Sequence, residues 1–144
     1  MAGIKNITVK DLMVEKPFKI DVEEPLSRAW KLFYTHGIRH LPVVDKDNAL
    51  KGIITLRDLY RISSPKKNLQ GETFYNKEDL DRYILKHVMT KKVFTLPPEA
   101  PIGRVIDIMV KRKYGCVPVI DSGQKLLGIV THIDILRKVA GYFS

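Results

Sequence analysis

Apolar residues recur at helical spacing in two places along the chain, Leu26, Ala29, Trp30 and Phe33 in one and Ile102, Val105, Ile106 and Met109 in the other. Each set shares one helix face, because residues three and four apart project to the same side. Pro25 and Pro101 precede the two sets at a position suited to a helix's first turn. A short extended piece comes before each proline, Phe18 to Ile20 or Val93 to Leu96. After each helix come two apolar runs split by turn-forming residues. These are Leu41 to Val44 and Leu50 to Thr55 around Asp45-Lys46-Asp47-Asn48, then Val117 to Ile120 and Leu126 to Thr131 around Asp121-Ser122-Gly123. Each pair predicts a hairpin, and a closing helix follows, from about His132 to Val139 in the second case. The expected order is β, α, β, β, α, twice over.

The two patterns are copies of one unit. Sliding the chain by 76 residues aligns Lys10–Ile62 with Lys86–Lys138 without a gap and leaves 16 identical positions, among them Pro42/Pro118, Gly52/Gly128, Thr55/Thr131 and Asp58/Asp134. Chance would give about three. The copies divide the chain into residues 8–64, a linker over 65–83 and residues 84–141. Ser63 to Lys77 carries Pro65, Gly71 and polar residues and is read as a loop. Asn76 is placed as N-cap of a short helix running from Lys77 to Tyr83. Free-standing halves of about 60–70 residues would bury little surface, so one shared core is expected.

Composition narrows the classes. Hydrophobic residues make up 44% of the 144, enough for a packed core, and no apolar run approaches the length of a membrane span. The start, MAGIKNITVKDLM, has no continuous apolar stretch and no small-residue cleavage site. The single cysteine, Cys116, makes an internal disulfide unavailable, which points to a reducing cytoplasm and to a buried, inert thiol. A net charge of +9 favours anionic partners without choosing among them. It motivates a nucleic-acid-binding alternative, but no helix-turn-helix, zinc finger or aromatic RNA-reading motif accompanies it. His36, His40, His87 and His132 stand in no metal-ligand spacing, no nucleophile comes with a base, and no paired carboxylates mark a catalytic centre. The sequence therefore predicts neither an enzyme nor a metal site.

Two βαββα copies, each with an x-Pro-Val-[Val/Ile]-Asp strand and a Gly-Ile-[Ile/Val]-Thr-x-x-Asp junction from strand to helix, resemble the cystathionine-β-synthase domain family, or CBS domains. The resemblance implies an α+β fold in which tandem repeats pack as a pseudo-twofold pair, the Bateman module, with two clefts. It implies a regulatory ligand of the AMP, ADP, ATP or S-adenosyl class, no obligatory cofactor, homodimerisation, and energy or metabolite signalling to an effector protein on another chain. Apolar helix faces that include Trp30 and Phe33, or Met109 and Val110, are the expected dimer surfaces. A ligand-free dimerisation or interaction module is a further alternative.

The junctions Thr55-Leu56-Arg57-Asp58 and Thr131-His132-Ile133-Asp134 carry the candidate chemistry. Thr followed three residues later by Asp at a helix start makes a capping-box variant, in which both side chains satisfy backbone N–H groups. The resemblance adds a second role at the same positions, with the Asp accepting hydrogen bonds from ribose hydroxyls and the Thr hydroxyl beside it. Both roles can hold together. In the first site Arg39, His40 and Arg57 are the expected phosphate ligands, since arginine grips phosphate with parallel hydrogen bonds. The resemblance supplies Leu96, Pro98, Tyr114 and Gly115 from the other copy as the slot for the base. In the second site Gly115, Cys116 and Ile133 replace those cations and leave His132, so a weaker site is expected. Arg39 reaching across and Ile20, Val22 and Ile38 complete it. All the apolar positions are equally well read as core.

Overall fold

The computed structural model describes residues 6–143. Residues 1–5 of the opening segment MAGIKNITVKDLM lie outside that range. The chain runs α1 (Val9–Leu12), β1 (Val14–Glu15), β2 (Ile20–Asp21), α2 (Leu26–His36), β3 (His40–Val44), β4 (Leu50–Thr55) and α3 (Leu56–Ile62). Between the copies lie β5 (Lys66–Lys67), β6 (Thr73–Phe74) and α4 (Lys77–Leu80). The second copy holds α5 (Leu85–Val88), α6 (Ile102–Arg112), β7 (Cys116–Ile120), β8 (Leu126–Thr131) and α7 (His132–Ala140). The architecture is the α+β double repeat read from the hydrophobic pattern.

Two compact units form. One is Phe18–Lys92, and the other joins the chain up to Pro17 with Val93 onwards. In the first, β2 runs parallel to β3 and β3 antiparallel to β4, with Pro42 opposite Ile53 and a register shift after Val43. The core holds Ile20, Leu26, Ala29, Phe33, Leu41, Val43, Ile54 and Leu59, joined by Tyr75, Leu80 and Leu85 from beyond the first copy. In the second unit β8 pairs with β1 and β7, Leu96 bridges Val119 in parallel, and Val9, Ile102, Val105, Met109, Val117, Val130 and Ile135 are core.

Each unit thus takes in the opening segment of the copy whose strands it does not contain. Thr90 exchanges backbone hydrogen bonds with Ile53, at 3.0 and 2.9 Å, while Val14 lies opposite Ile129 in the pairing of β1 with β8. The space for this backbone is made by glycine. A Cβ on Gly52 would meet Thr90 O at 2.5 Å and Met89 Sδ at 2.9 Å; on Gly128 it would meet Val14 O at 2.6 Å and Met13 Sδ at 2.9 Å. A glycine that weakens a strand in isolation is required where another chain segment approaches this closely.

Several local details differ from expectation. Pro25 and Pro101 are the N-cap residues, with ψ 153° and 144°, and the helices begin one residue later. The linker is not all loop: Lys66 pairs with Phe74 and Lys67 with Thr73, around a turn in which Asn68 Oδ1 accepts the N–H groups of Gln70 and Glu72 at 2.9 Å. The helix after Asn76 lasts one turn, ending at Leu80, and Asn76 Nδ2 donates to Asp79 Oδ2 at 3.4 Å instead of the side chain capping backbone. Phe33 and Met109 are buried inside their own units, and Tyr75 covers Trp30 edge-on with ring centroids 4.9 Å apart. Of the four residues expected on helix faces for dimerisation, Val110 is the one left exposed, at 68%.

Candidate functional site

The site begins where β4 becomes α3. Thr55 is extended, at φ −121° and ψ 161°, and Leu56 opens the helix. The Thr55 hydroxyl accepts the Asp58 backbone N–H at 3.2 Å, and Asp58 Oδ2 accepts the Thr55 N–H at 2.8 Å. The junction from β8 to α7 repeats this geometry, with Asp134 Oδ2 accepting the Thr131 N–H at 2.8 Å and the Thr131 hydroxyl at 2.9 Å. Both junctions are capping boxes, which settle N–H groups that a helix start leaves without intrahelical partners.

Capping does not use up Asp58. The residue is 5% exposed, and its second oxygen, Oδ1, lies 3.3 Å from Arg61 Nη1. A buried carboxylate requires such a partner, because removing an unpaired charge from water is costly. Asp58 also lines a cavity of about 420 Å³ with Arg61, Ile62, Arg82, Tyr83, Ile84, His87 and Val88. Helix α3 supplies Asp58, Arg61 and Ile62, and the segment that ends in α5 supplies the other five. Apolar walls from Ile62, Ile84 and Val88 accompany three basic side chains and one phenol, a composition suited to a ligand with a flat apolar part and an anionic part.

The residues predicted for the first site fall in three places. Arg39, His40, Thr55, Arg57 and Asp58 belong to the Phe18–Lys92 unit. His40 starts β3 directly opposite Thr55, and Arg39 O accepts the Leu56 N–H at 3.0 Å. Arg39 and Arg57 are exposed, and the lining of the Asp58 cavity includes neither of them nor His40. In the other unit, Leu96 and Pro98 line a cavity of about 480 Å³ with Thr95, Pro97, Glu99, Ile120, Asp121 and Ser122. Tyr114 is apart from that lining, its ring 6.5 Å from Phe94, while Gly115 O accepts the His132 N–H at 3.1 Å.

Among the residues predicted for the second site, Ile20 is 1% exposed and belongs to the core, with Val22 and Ile38 packed against that core. His132 is exposed, with Nδ1 3.2 Å from Gly115 O. Cys116 is buried, and burial pushes its thiol up to about 12, with the Asp134 carboxylate contributing in the same direction. Such a thiol stays protonated and unreactive. Among the described residues no cluster of His, Cys, Asp or Glu could hold a metal ion, and no helix is long and apolar enough to cross a membrane.

The sequence reading missed Arg61, Arg82 and His87. One signal for Arg61 was available, since it is identical to Arg137 in the 76-residue alignment and lies one helical turn beyond Asp58. Arg82, from the linker, and His87, from the opening of the second copy, reach the site through a tertiary placement that no spacing rule records.

Residues 9–64 and 85–141 each match the model of the CBS domain, and the chain belongs to that family as a tandem pair. A CBS domain-containing protein of Dictyostelium discoideum is 33% identical over 130 residues, which cover 90% of this chain and 89% of that one. L-aspartate semialdehyde sulfurtransferase of Methanocaldococcus jannaschii is 30% identical over 133 residues, but this chain spans 23% of its length. Among solved structures, the CBS domain pair of protein MJ0100, in complex with 5′-methylthioadenosine and S-adenosyl-L-methionine, matches with a TM-score of 0.77 at 29% identity, over 94% of this chain and 98% of that one.

Proposed function

We propose that the chain is a non-catalytic regulatory module that binds an adenosine-containing ligand and signals its occupancy to a partner protein. The observation that carries this reading is Asp58, a nearly buried carboxylate that keeps one oxygen outside its capping role and lines a cavity of about 420 Å³. A sugar presents hydroxyl donors, which an ionised carboxylate accepts with charge-assisted strength. The adenosine ligands in the MJ0100 complex support the ligand class.

In this reading Thr55 and Asp58 hold the ribose, and the basic side chains of the same unit meet its anionic tail, with Arg39, His40 and Arg57 as further candidates in that unit. Thr131, His132 and Asp134 form the lesser site. Val110 and Leu136, 68% and 58% exposed, are candidates for the surface that joins two copies or docks the effector. The one cysteine, free and buried, suits a cytoplasmic setting. Isothermal titration of the chain with adenosine, AMP, ADP, ATP and S-adenosylmethionine tests the reading. Saturable heat with at least one supports it, and no heat with any of the five removes it.

A further inference from the structure

We infer that Arg61 is an exchangeable guard on Asp58: it yields the carboxylate to a sugar hydroxyl and turns, with Arg82 and His87, onto the phosphate of a phosphorylated nucleoside. The inference deepens the function proposed above and rests on it.

The guard is visible in the ion pair. Asp58 is 7% exposed at its side chain and Arg61 67%, so the carboxylate is fixed in the protein while the guanidinium stands mostly in water, 3.3 Å from Oδ1. The arginine's long stem lets its charge leave that oxygen without moving the helix. The carboxylate cannot be left bare, and a ribose hydroxyl donating to Oδ1 would take over the guanidinium's role.

The destination is visible in the cavity. Arg82 and His87 share its wall with Arg61, so three basic side chains surround a space with Asp58 as its one acidic lining residue. Arg82 Nη2 is 3.8 Å from Asp79 Oδ1, and Asp79 is shared with Lys66 at 3.7 Å. That pair is largely exposed on the arginine side, at 76%, and such pairs hold weakly. A phosphate entering the cavity can recruit both guanidinium groups through charge-assisted bonds.

The other unit serves as an internal comparison. The 76-residue shift that maps α5 onto α1 maps Arg82, His87 and Ile62 onto Asn6, Asp11 and Lys138. Asp11 is engaged by Thr8, whose N–H donates to Oδ2 at 2.9 Å, and its carboxyl is held below the usual range first by Thr8 and also by nearby Lys138. Where the first unit gathers three basic groups, the second has an asparagine, an acid and the lysine that offsets it, with Arg137 alone in the place of Arg61. The preference for phosphate therefore belongs to the Asp58 unit.

Isothermal titration of the full chain and of Arg61→Gln and Arg82→Gln with adenosine, AMP and S-adenosylmethionine tests this. A charge-assisted hydrogen bond is worth about 1.5–3 kcal/mol, or roughly ten- to a hundredfold in affinity. The unaltered chain is expected to bind AMP at least about tenfold tighter than adenosine, and adenosine no weaker than S-adenosylmethionine, whose tail carries a sulfonium. Arg82→Gln is expected to weaken AMP by about tenfold or more and leave adenosine unchanged. Arg61→Gln is expected to split the two ligands, weakening AMP while leaving adenosine as tight or tighter because the guard is gone. Both side chains are mostly exposed, and cooperative denaturation transitions confirm that the variants fold. Equal affinity of the unaltered chain for AMP and adenosine, or an Arg61→Gln loss shared by both ligands, overturns the inference and leaves the proposed function standing. A folded chain that binds none of the three ligands removes both.

Discussion

Gly52 and Thr90 touch so closely that no side chain fits between them: a Cβ at position 52 would sit 2.5 Å from the Thr90 carbonyl oxygen. Thr90 cannot retreat freely, since its N–H and C=O are both bonded to Ile53. Gly52→Ala is therefore expected to destabilise the protein by about 1–3 kcal/mol, the usual cost of forcing extra atoms into packed structure. Gly128→Ala, facing Val14 O at 2.6 Å, should do the same. Gly103→Ala is the control, because a Cβ there meets nothing within 4 Å, and it should be neutral or stabilise by up to about 1 kcal/mol. Urea denaturation of the three variants measures all of this.

The helix ends carry a second asymmetry. Gly37 closes α2 in the left-handed conformation at φ 62°, but Lys113 closes α6 at φ 58°. That conformation costs a residue with a Cβ about 1–2 kcal/mol, while glycine adopts it freely at some cost in unfolded-state entropy. Lys113→Gly should raise stability by up to about 1 kcal/mol, and Gly37→Ala should lower it by a similar amount, as read by thermal unfolding without ligand.

Alkaline pH should weaken the fold through two buried groups. Burial pushes the Cys116 thiol from 9.0 to about 12 and, with Tyr60 adding to it, the Tyr75 phenol from 10.0 to about 12. The unfolded chain loses these protons at lower pH than the folded one. Their contribution is therefore complete below about pH 9 and disappears as pH rises toward 12. Denaturation midpoints should fall across that window. Cys116 should also resist thiol reagents at pH 8 until the chain is unfolded.

The fold was legible wherever it was local. Helical spacing at Leu26–Phe33 and Ile102–Met109, turn residues at Asp45–Asn48, and the 76-residue self-similarity specify elements that form from near neighbours in sequence. The exchange of opening segments was not, since pairing Thr90 with Ile53 is a choice of tertiary partner, and its trace in sequence is a pair of glycines inside strands. The same limit applied to the site. Thr55 and Asp58 could be found because capping and sugar binding need that spacing at a helix start. The motif directed attention to Arg57 beside Asp58, yet adjacent helix residues face different ways, and Arg61, one turn on, shares the Asp58 face. Arg82 and His87 depend on the course of the chain from the linker into the second copy, where the sequence showed a loop and one short helix and the structure has a hairpin and two short helices.

Removing the cap separates stability from binding. Thr55→Ala leaves the Asp58 N–H without its acceptor and should cost about 1 kcal/mol even without ligand, as should Thr131→Ala. Asp58→Asn keeps an oxygen for the Thr55 N–H but gives up the charge that holds Arg61, so most of its effect should appear on binding.

The most direct measurement of the central claim is the thermal shift of the unaltered chain, Asp58→Asn and Asp134→Asn with AMP at saturating concentration. A ligand that binds the folded state alone adds about 2.7 kcal/mol at a hundredfold excess over its Kd. A clear rise in Tm is expected for the unaltered chain, with its loss in Asp58→Asn and its near-retention in Asp134→Asn. A shift that survives intact in Asp58→Asn, or one lost equally in both variants, would contradict that claim.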